Sequence, residues 1–85
     1  MSIEIYTTRT CPFCIRAKQL LDQKGASYTE IDVGADPALR DKMTKRAGKR
    51  SVPQIFVGTT HVGGCDDLYA LERSGKLDPL LMGAA

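Results

Sequence analysis

Apolar and polar positions change period repeatedly along the chain. Ile3-Glu4-Ile5-Tyr6-Thr7 alternates as a strand does. A helix-period segment follows from about Pro12, with Ile15, Ala17, Leu20 and Leu21 expected on its buried side and Gly25 as the residue just past its end. Tyr28 to Val33 reads as a second strand. Asp36-Pro37 supplies an N-cap and first helical residue, after which Leu39, Met43 and Ala47 recur at i+4 until Gly48, so this helix packs one face only. Gln54-Ile55-Phe56-Val57, the turn Gly58-Thr59 and Thr60-His61-Val62 read as a hairpin. Gly63-Gly64 then opens a helix carrying Leu68 and Leu71 and closed by Gly75, and Leu77 to Met82 reads as a short apolar tail. The order βαβαββα points to an α/β fold, a small sheet flanked by helices.

Eighty-five residues, 42% of them hydrophobic, are expected to make one domain spanning 1–85 with a real but modest core. No apolar run approaches the length needed to span a membrane, and the start of the chain shows no basic-then-apolar signal segment. Three cysteines are too few, and of the wrong parity, for a disulfide framework. These features predict a reducing, cytoplasmic setting, in which a C-x-x-C is more often catalytic than structural. A net charge of +2 is too small to imply a nucleic-acid partner.

The C-x-x-C is Cys11-Pro12-Phe13-Cys14, placed between the first strand and the first helix. Pro12 suits the first helical position, where an amide N–H has no partner to lose, and Cys11 then falls at the N-cap. Its sulfur would face unpaired amides and the positive end of the helix dipole, which favour thiolate over thiol. A free thiol is only about 3% ionised at neutral pH, and a helix terminus contributes roughly 0.3–2 kcal/mol. Hydrogen bonds to the sulfur or a nearby cation must supply the rest, with Arg9, Arg16 and Lys18 as candidates. Cys14, one turn on and on the same face, can close or reopen a disulfide with Cys11.

Structural zinc is the competing reading, because His61 and Cys65 complete a nominal Cys3His set. Forty-six residues separate Cys14 from His61, whereas compact zinc modules join their ligand pairs by about 12–20. The spacing therefore favours redox chemistry, with no metal expected.

Two loops bear on the substrate. Ser51-Val52-Pro53 precedes the third strand; a cis proline would present Val52 as a docking edge for an extended peptide, but the local sequence favours the commoner trans form. Gly63-Gly64-Cys65-Asp66-Asp67 opens a helix whose free amides suit a carboxylate, with Asp66 and Asp67 beside them for an ammonium group. Acidic residues also belong in any first helical turn, and taken alone an ordinary cap is the simpler reading.

Cys11-Pro12-Phe13-Cys14, Ser51-Val52-Pro53 and Gly63-Gly64-Cys65-Asp66-Asp67, in this order and spacing, resemble the C-P-[YF]-C, T-V-P and G-G-x-D-D motifs of bacterial dithiol glutaredoxins across essentially the whole chain. The resemblance implies a thioredoxin-like fold with a small mixed four-stranded sheet. It implies a cis Pro53, with glutathione lying along Val52 and its γ-glutamyl end at Gly64, Cys65, Asp66 and Asp67, reversing both local readings. Phe13 and Ser51 join that site by their place in the motifs. Thr8 stands where many relatives carry a lysine for the glycine carboxylate of glutathione, and Arg9 is the candidate substitute. The implied activity is glutathione-dependent thiol–disulfide exchange by a monomer. Cys11 is the nucleophile and Cys14 the resolving thiol, acting on glutathionylated or disulfide-bonded proteins and on ribonucleotide reductase as a further acceptor.

Two alternatives stay open. Some relatives carry an iron–sulfur cluster, but they tend to have glycine or serine at the position of Pro12. A redoxin reduced by thioredoxin reductase would not need the Gly-Gly-x-Asp-Asp segment. Cys65 reads as a neighbour of the site, His61 as a surface or half-buried residue without chemistry, and Lys42, Lys45, Arg46, Lys49 and Arg50 as a solvated cationic face. Arg40 is a weak candidate for a ligand carboxylate.

Overall fold

The structure is a computed structural model and describes residues 2–84. Four strands form one sheet in the order β2-β1-β3-β4: β1 (Ile3–Thr7), β2 (Thr29–Asp32), β3 (Gln54–Val57) and β4 (Thr60–Gly63). β1 pairs in parallel with β2, across the crossover made by helix α1 (Pro12–Gln23), and antiparallel with β3. Helix α2 (Pro37–Ala47) links β2 to β3, and helices α3 (Cys65–Arg73) and α4 (Leu77–Ala84) follow the hairpin.

Helices cover both faces of the sheet, so consecutive residues of the central strands are buried on opposite sides. Ile3, Ile5, Ile55 and Val57 pack with Ala17, Leu20 and Leu21 of α1, Leu68 of α3 and Leu77 of α4. Tyr6 and Phe56 face the other way and pack with Val33 and Met43. This explains why β3 is buried at every position although its sequence has a polar residue at its start. Edge strand β2 is largely exposed.

The helix ends follow their signals. Asp36 caps α2 by accepting the Leu39 N–H, and Gly48 ends it in the left-handed region at φ 76°. Three details differ from the sequence reading. Ile15 is 49% exposed: the buried stripe of α1 runs through Cys14, Ala17, Leu20 and Leu21, and Ile15 falls outside it. The apolar tail is helix α4, whose first residue, Leu77, is fully buried. Its eight residues are too few for periodicity to announce a helix, and its order comes from packing and from Lys24, which pairs with Asp78 at 2.9 Å and Glu72 at 2.7 Å. Arg46 lies on the exposed side of α2, but its guanidinium is engaged and not merely solvated. It pairs with Glu4 at 2.8 Å, donates to the Tyr6 hydroxyl and the Gly58 carbonyl, and lies 3.8 Å from the Phe56 ring centre.

Candidate active site

Three chain segments converge at one end of the sheet. The first is the start of α1. Cys11 is its N-cap, in extended conformation, and its Sγ accepts the Cys14 N–H at 3.1 Å. The helix amides thus supply one of the hydrogen bonds that a thiolate requires. Among the described residues no cation completes the arrangement through a direct contact. Lys18 pairs with Glu30 at 3.0 Å, Arg16 lies over the Tyr69 ring, and the Arg9 side chain is 92% exposed, 3.7 Å from Asp32. All three cysteines are free thiols. Burial, then the neighbouring Cys11 side chain, pushes the Cys14 thiol from 9.0 up to about 12. The two sulfurs therefore occupy unlike environments.

The second segment is Ser51-Val52-Pro53. The Val52–Pro53 peptide is cis, which overturns the trans form favoured by the local sequence. The Cys11 thiol lies 3.8 Å from the Val52 carbonyl oxygen, so the backbone before β3 borders the Cys11 sulfur.

A bulge in the β3–β4 pairing delivers the third segment. Register shifts between Ile55, opposite Gly63, and Phe56, opposite His61, and the chain then turns at Gly63 with φ 111° into α3. A Cβ at Gly63 would overlap the Asp67 carboxylate, which accepts the Gly64 N–H at 2.9 Å and closes the cap of α3. One carboxylate oxygen of Asp67 is thus engaged inside the cap, while Asp66 is exposed. Cys65 is buried, and desolvation raises its pKa.

Between the second and third segments runs an open groove of about 460 Å³. Phe13, Ser51, Val52, Pro53, Gly64, Cys65, Asp66 and Asp67 all border it. Arg9 does not; it lines a separate depression with Arg40, whose guanidinium donates to the Arg50 carbonyl at 3.1 Å. The groove also takes in Gln54 and His61, which sequence reasoning left out. The available signal was a polar residue, Gln54, heading the otherwise apolar run Ile55-Phe56-Val57.

A family model described as glutaredoxin matches residues 3–62. The chain belongs to the glutaredoxin family. Among curated glutaredoxins, one from Pseudomonas aeruginosa is 60% identical over 79 residues, covering 93% of this chain and 94% of the relative. Glutaredoxin 3 of Escherichia coli is 55% identical over 80 residues, covering 94% and 96%. In three dimensions the chain is similar to the crystal structure of a buckwheat glutaredoxin–glutathione complex, with a TM-score of 0.90 at 34% identity, covering 96% of this chain and 77% of that one. As a glutaredoxin, the protein has the thioredoxin-like fold that its sheet order displays and is a thiol–disulfide oxidoreductase.

Proposed function

We propose that the protein reduces glutathione mixed disulfides and protein disulfides at the expense of glutathione, with Cys11 as nucleophile and Cys14 as resolving thiol. The observation that carries this reading is the position of Cys11. It sits at a helix N-terminus, accepts an amide N–H, and lies 3.8 Å from the carbonyl oxygen of Val52, which lines a groove that ends at the amides and carboxylates of Gly64 to Asp67.

Glutathione is expected to lie along Val52, its γ-glutamyl carboxylate at the first amides of α3 and its ammonium group at Asp66 and the unengaged oxygen of Asp67. Phe13, Ser51, Pro53, Gly64 and Cys65 wall the groove, and Arg9 turns from Asp32 to meet the glycine carboxylate. The relative crystallised with glutathione supports this choice of co-substrate.

In the first half-reaction the Cys11 thiolate attacks the glutathione sulfur of a glutathionylated protein. The old S–S bond breaks, the protein leaves as a thiolate that takes up a proton, and Cys11 carries glutathione as a mixed disulfide. A second glutathione thiolate attacks the glutathione sulfur, releasing Cys11 and glutathione disulfide. With a protein disulfide, Cys11 first forms a mixed disulfide with the protein. Cys14 then gives up its proton and attacks the Cys11 sulfur, and two glutathiones later reduce the Cys11–Cys14 bond. A Cys14 held as a thiol cannot compete as the first attacker, which gives the two sulfurs their different roles. We further propose a monomer working in a reducing, cytoplasmic setting, with ribonucleotide reductase among its acceptors.

The test is glutathione-dependent reduction of a small glutathione mixed disulfide, coupled to glutathione reductase. Cys11→Ser is expected to abolish turnover. Cys14→Ser is expected to retain it while losing reduction of a protein disulfide. An inactive wild type would overturn the proposal.

A further inference from the structure

His61 received no role from the sequence, yet it begins a hydrogen-bonded relay that runs along the groove wall. Its Nε2 lies 2.7 Å from Oε1 of Gln54. Gln54 is a buried polar side chain, 2% exposed, and its Nε2 donates to the Ser51 carbonyl at 3.0 Å and to the Ser51 hydroxyl at 3.3 Å. Because the amide nitrogen faces Ser51, the oxygen facing His61 can only accept, so His61 Nε2 carries the proton. The imidazole is held in turn by stacking on Phe56, with ring centres 4.7 Å apart and planes 20° from parallel, and Phe56 lies beneath the Arg46 guanidinium at 3.8 Å.

We infer that His61 is a positioning residue for the co-substrate groove: by donating to Gln54 it fixes which end of that amide faces Ser51, and so fixes the Ser51-Val52 backbone against which glutathione pairs. This rests on the glutathione reading above. A flipped Gln54 would set its Oε1 against the Ser51 carbonyl oxygen, acceptor to acceptor, and the segment bordering Cys11 would lose its anchor. His61 itself is on the exposed strand β4 and acts through Gln54.

Two substitutions separate its attributes. His61→Phe keeps a ring to stack on Phe56 and deletes the donor; His61→Gln deletes the ring and keeps a donor. With a small glutathione mixed disulfide, His61→Phe is expected to raise KM roughly three- to tenfold, the worth of one lost hydrogen bond, with kcat unchanged, and His61→Gln to restore most of it. Gln54→Leu is expected to raise KM at least as much, and adding His61→Phe to it to change nothing further. Additive effects in the double variant, or a fall in kcat with KM unchanged, would overturn the inference. Nitrogen-detected NMR of the wild type supplies an arm that needs neither glutathione nor the Gln54 variant. A proton on His61 Nε2, and Ser51 and Val52 amide shifts that move in His61→Phe, are expected; an Nε2 without a proton or unmoved amides would refute the relay. An inactive wild type with the expected NMR result would sink the glutathione reading while leaving the relay standing.

Discussion

At the scale of single residues, Cys11 and Cys14, both buried, differ because one caps helix α1 and the other lies within it. Cys11 is 9% exposed, is reached by a backbone donor and lies against Val52 of the groove wall, whereas Cys14 is 1% exposed and its thiol is pushed up to about 12. Brief treatment of the reduced, native protein with iodoacetamide at pH 7.5 is therefore expected to give one adduct, mapped to Cys11 by mass spectrometry. Cys14 and Cys65 should react only in denaturant. Labelling of native Cys14 as fast as Cys11 would contradict the assignment. Gly63 presents another single-residue constraint, since its φ of 111° and the adjacent Asp67 carboxylate leave no room for a side chain. Gly63→Ala should cost about 1–3 kcal/mol from backbone strain alone, plus part of the α3 cap, measured by urea unfolding. The sequence showed the glycine pair but not which glycine is indispensable. That depends on a bulge two strands away from the cysteines.

At the scale of elements, the N-caps and glycine stops placed α1, α2 and α3 because those signals are local, a side chain or a left-handed residue acting within one turn. The signals gave less about faces. Ile15 reads as buried from the helix-period pattern, but the sheet meets α1 along the line of Cys14, Ala17 and Leu21. Arg46 reads as one of five solvated cations, yet it joins α2 to β1, to the Phe56 ring and to the β3–β4 turn. Replacing it with lysine keeps the charge and loses the planar fork, so Arg46→Lys is expected to destabilise by about 1–2 kcal/mol in equilibrium unfolding. A neutral result would show that Glu4 alone sets its worth. Helix α4 is anchored chiefly by Leu77, and Leu77→Ala should cost about 2–5 kcal/mol.

Over the whole molecule, ionisable groups define a window of stability. Burial raises the Cys14 thiol, so the folded state keeps a proton that the unfolded chain loses near 9.0. Its contribution is complete below that pH and disappears as pH rises through about 12. Tyr28, raised by burial and by Asp22, and Lys24, raised by Glu72 and Asp78, act in the same direction. At the acid end the Thr7 hydroxyl and Lys18 lower Glu30, whose contribution is present above its unfolded value of 4.5 and is lost as pH falls through the lower folded one. Urea midpoints under reductant should thus fall on both sides of neutrality. Cys14→Ala is expected to flatten the alkaline limb between pH 8.5 and 10.5, and Glu30→Gln the acid limb. Unchanged slopes would place the linkage in other groups.

The sequence by itself determined the order of elements as far as α3, the helix caps, the Cys11–Cys14 spacing and the resemblance that led to glutathione, because periodicity, capping and short motifs are carried by neighbours along the chain. The tertiary structure alone decided what depends on partners distant in sequence. It turned an apolar tail into a helix, tied Arg46 to Glu4 and the Phe56 ring, set the Val52–Pro53 peptide in cis beside Cys11, and joined His61 to Gln54 along the groove wall. Each of those outcomes depends on which surfaces the sheet brings together, and that is fixed only when strands far apart in the chain have paired.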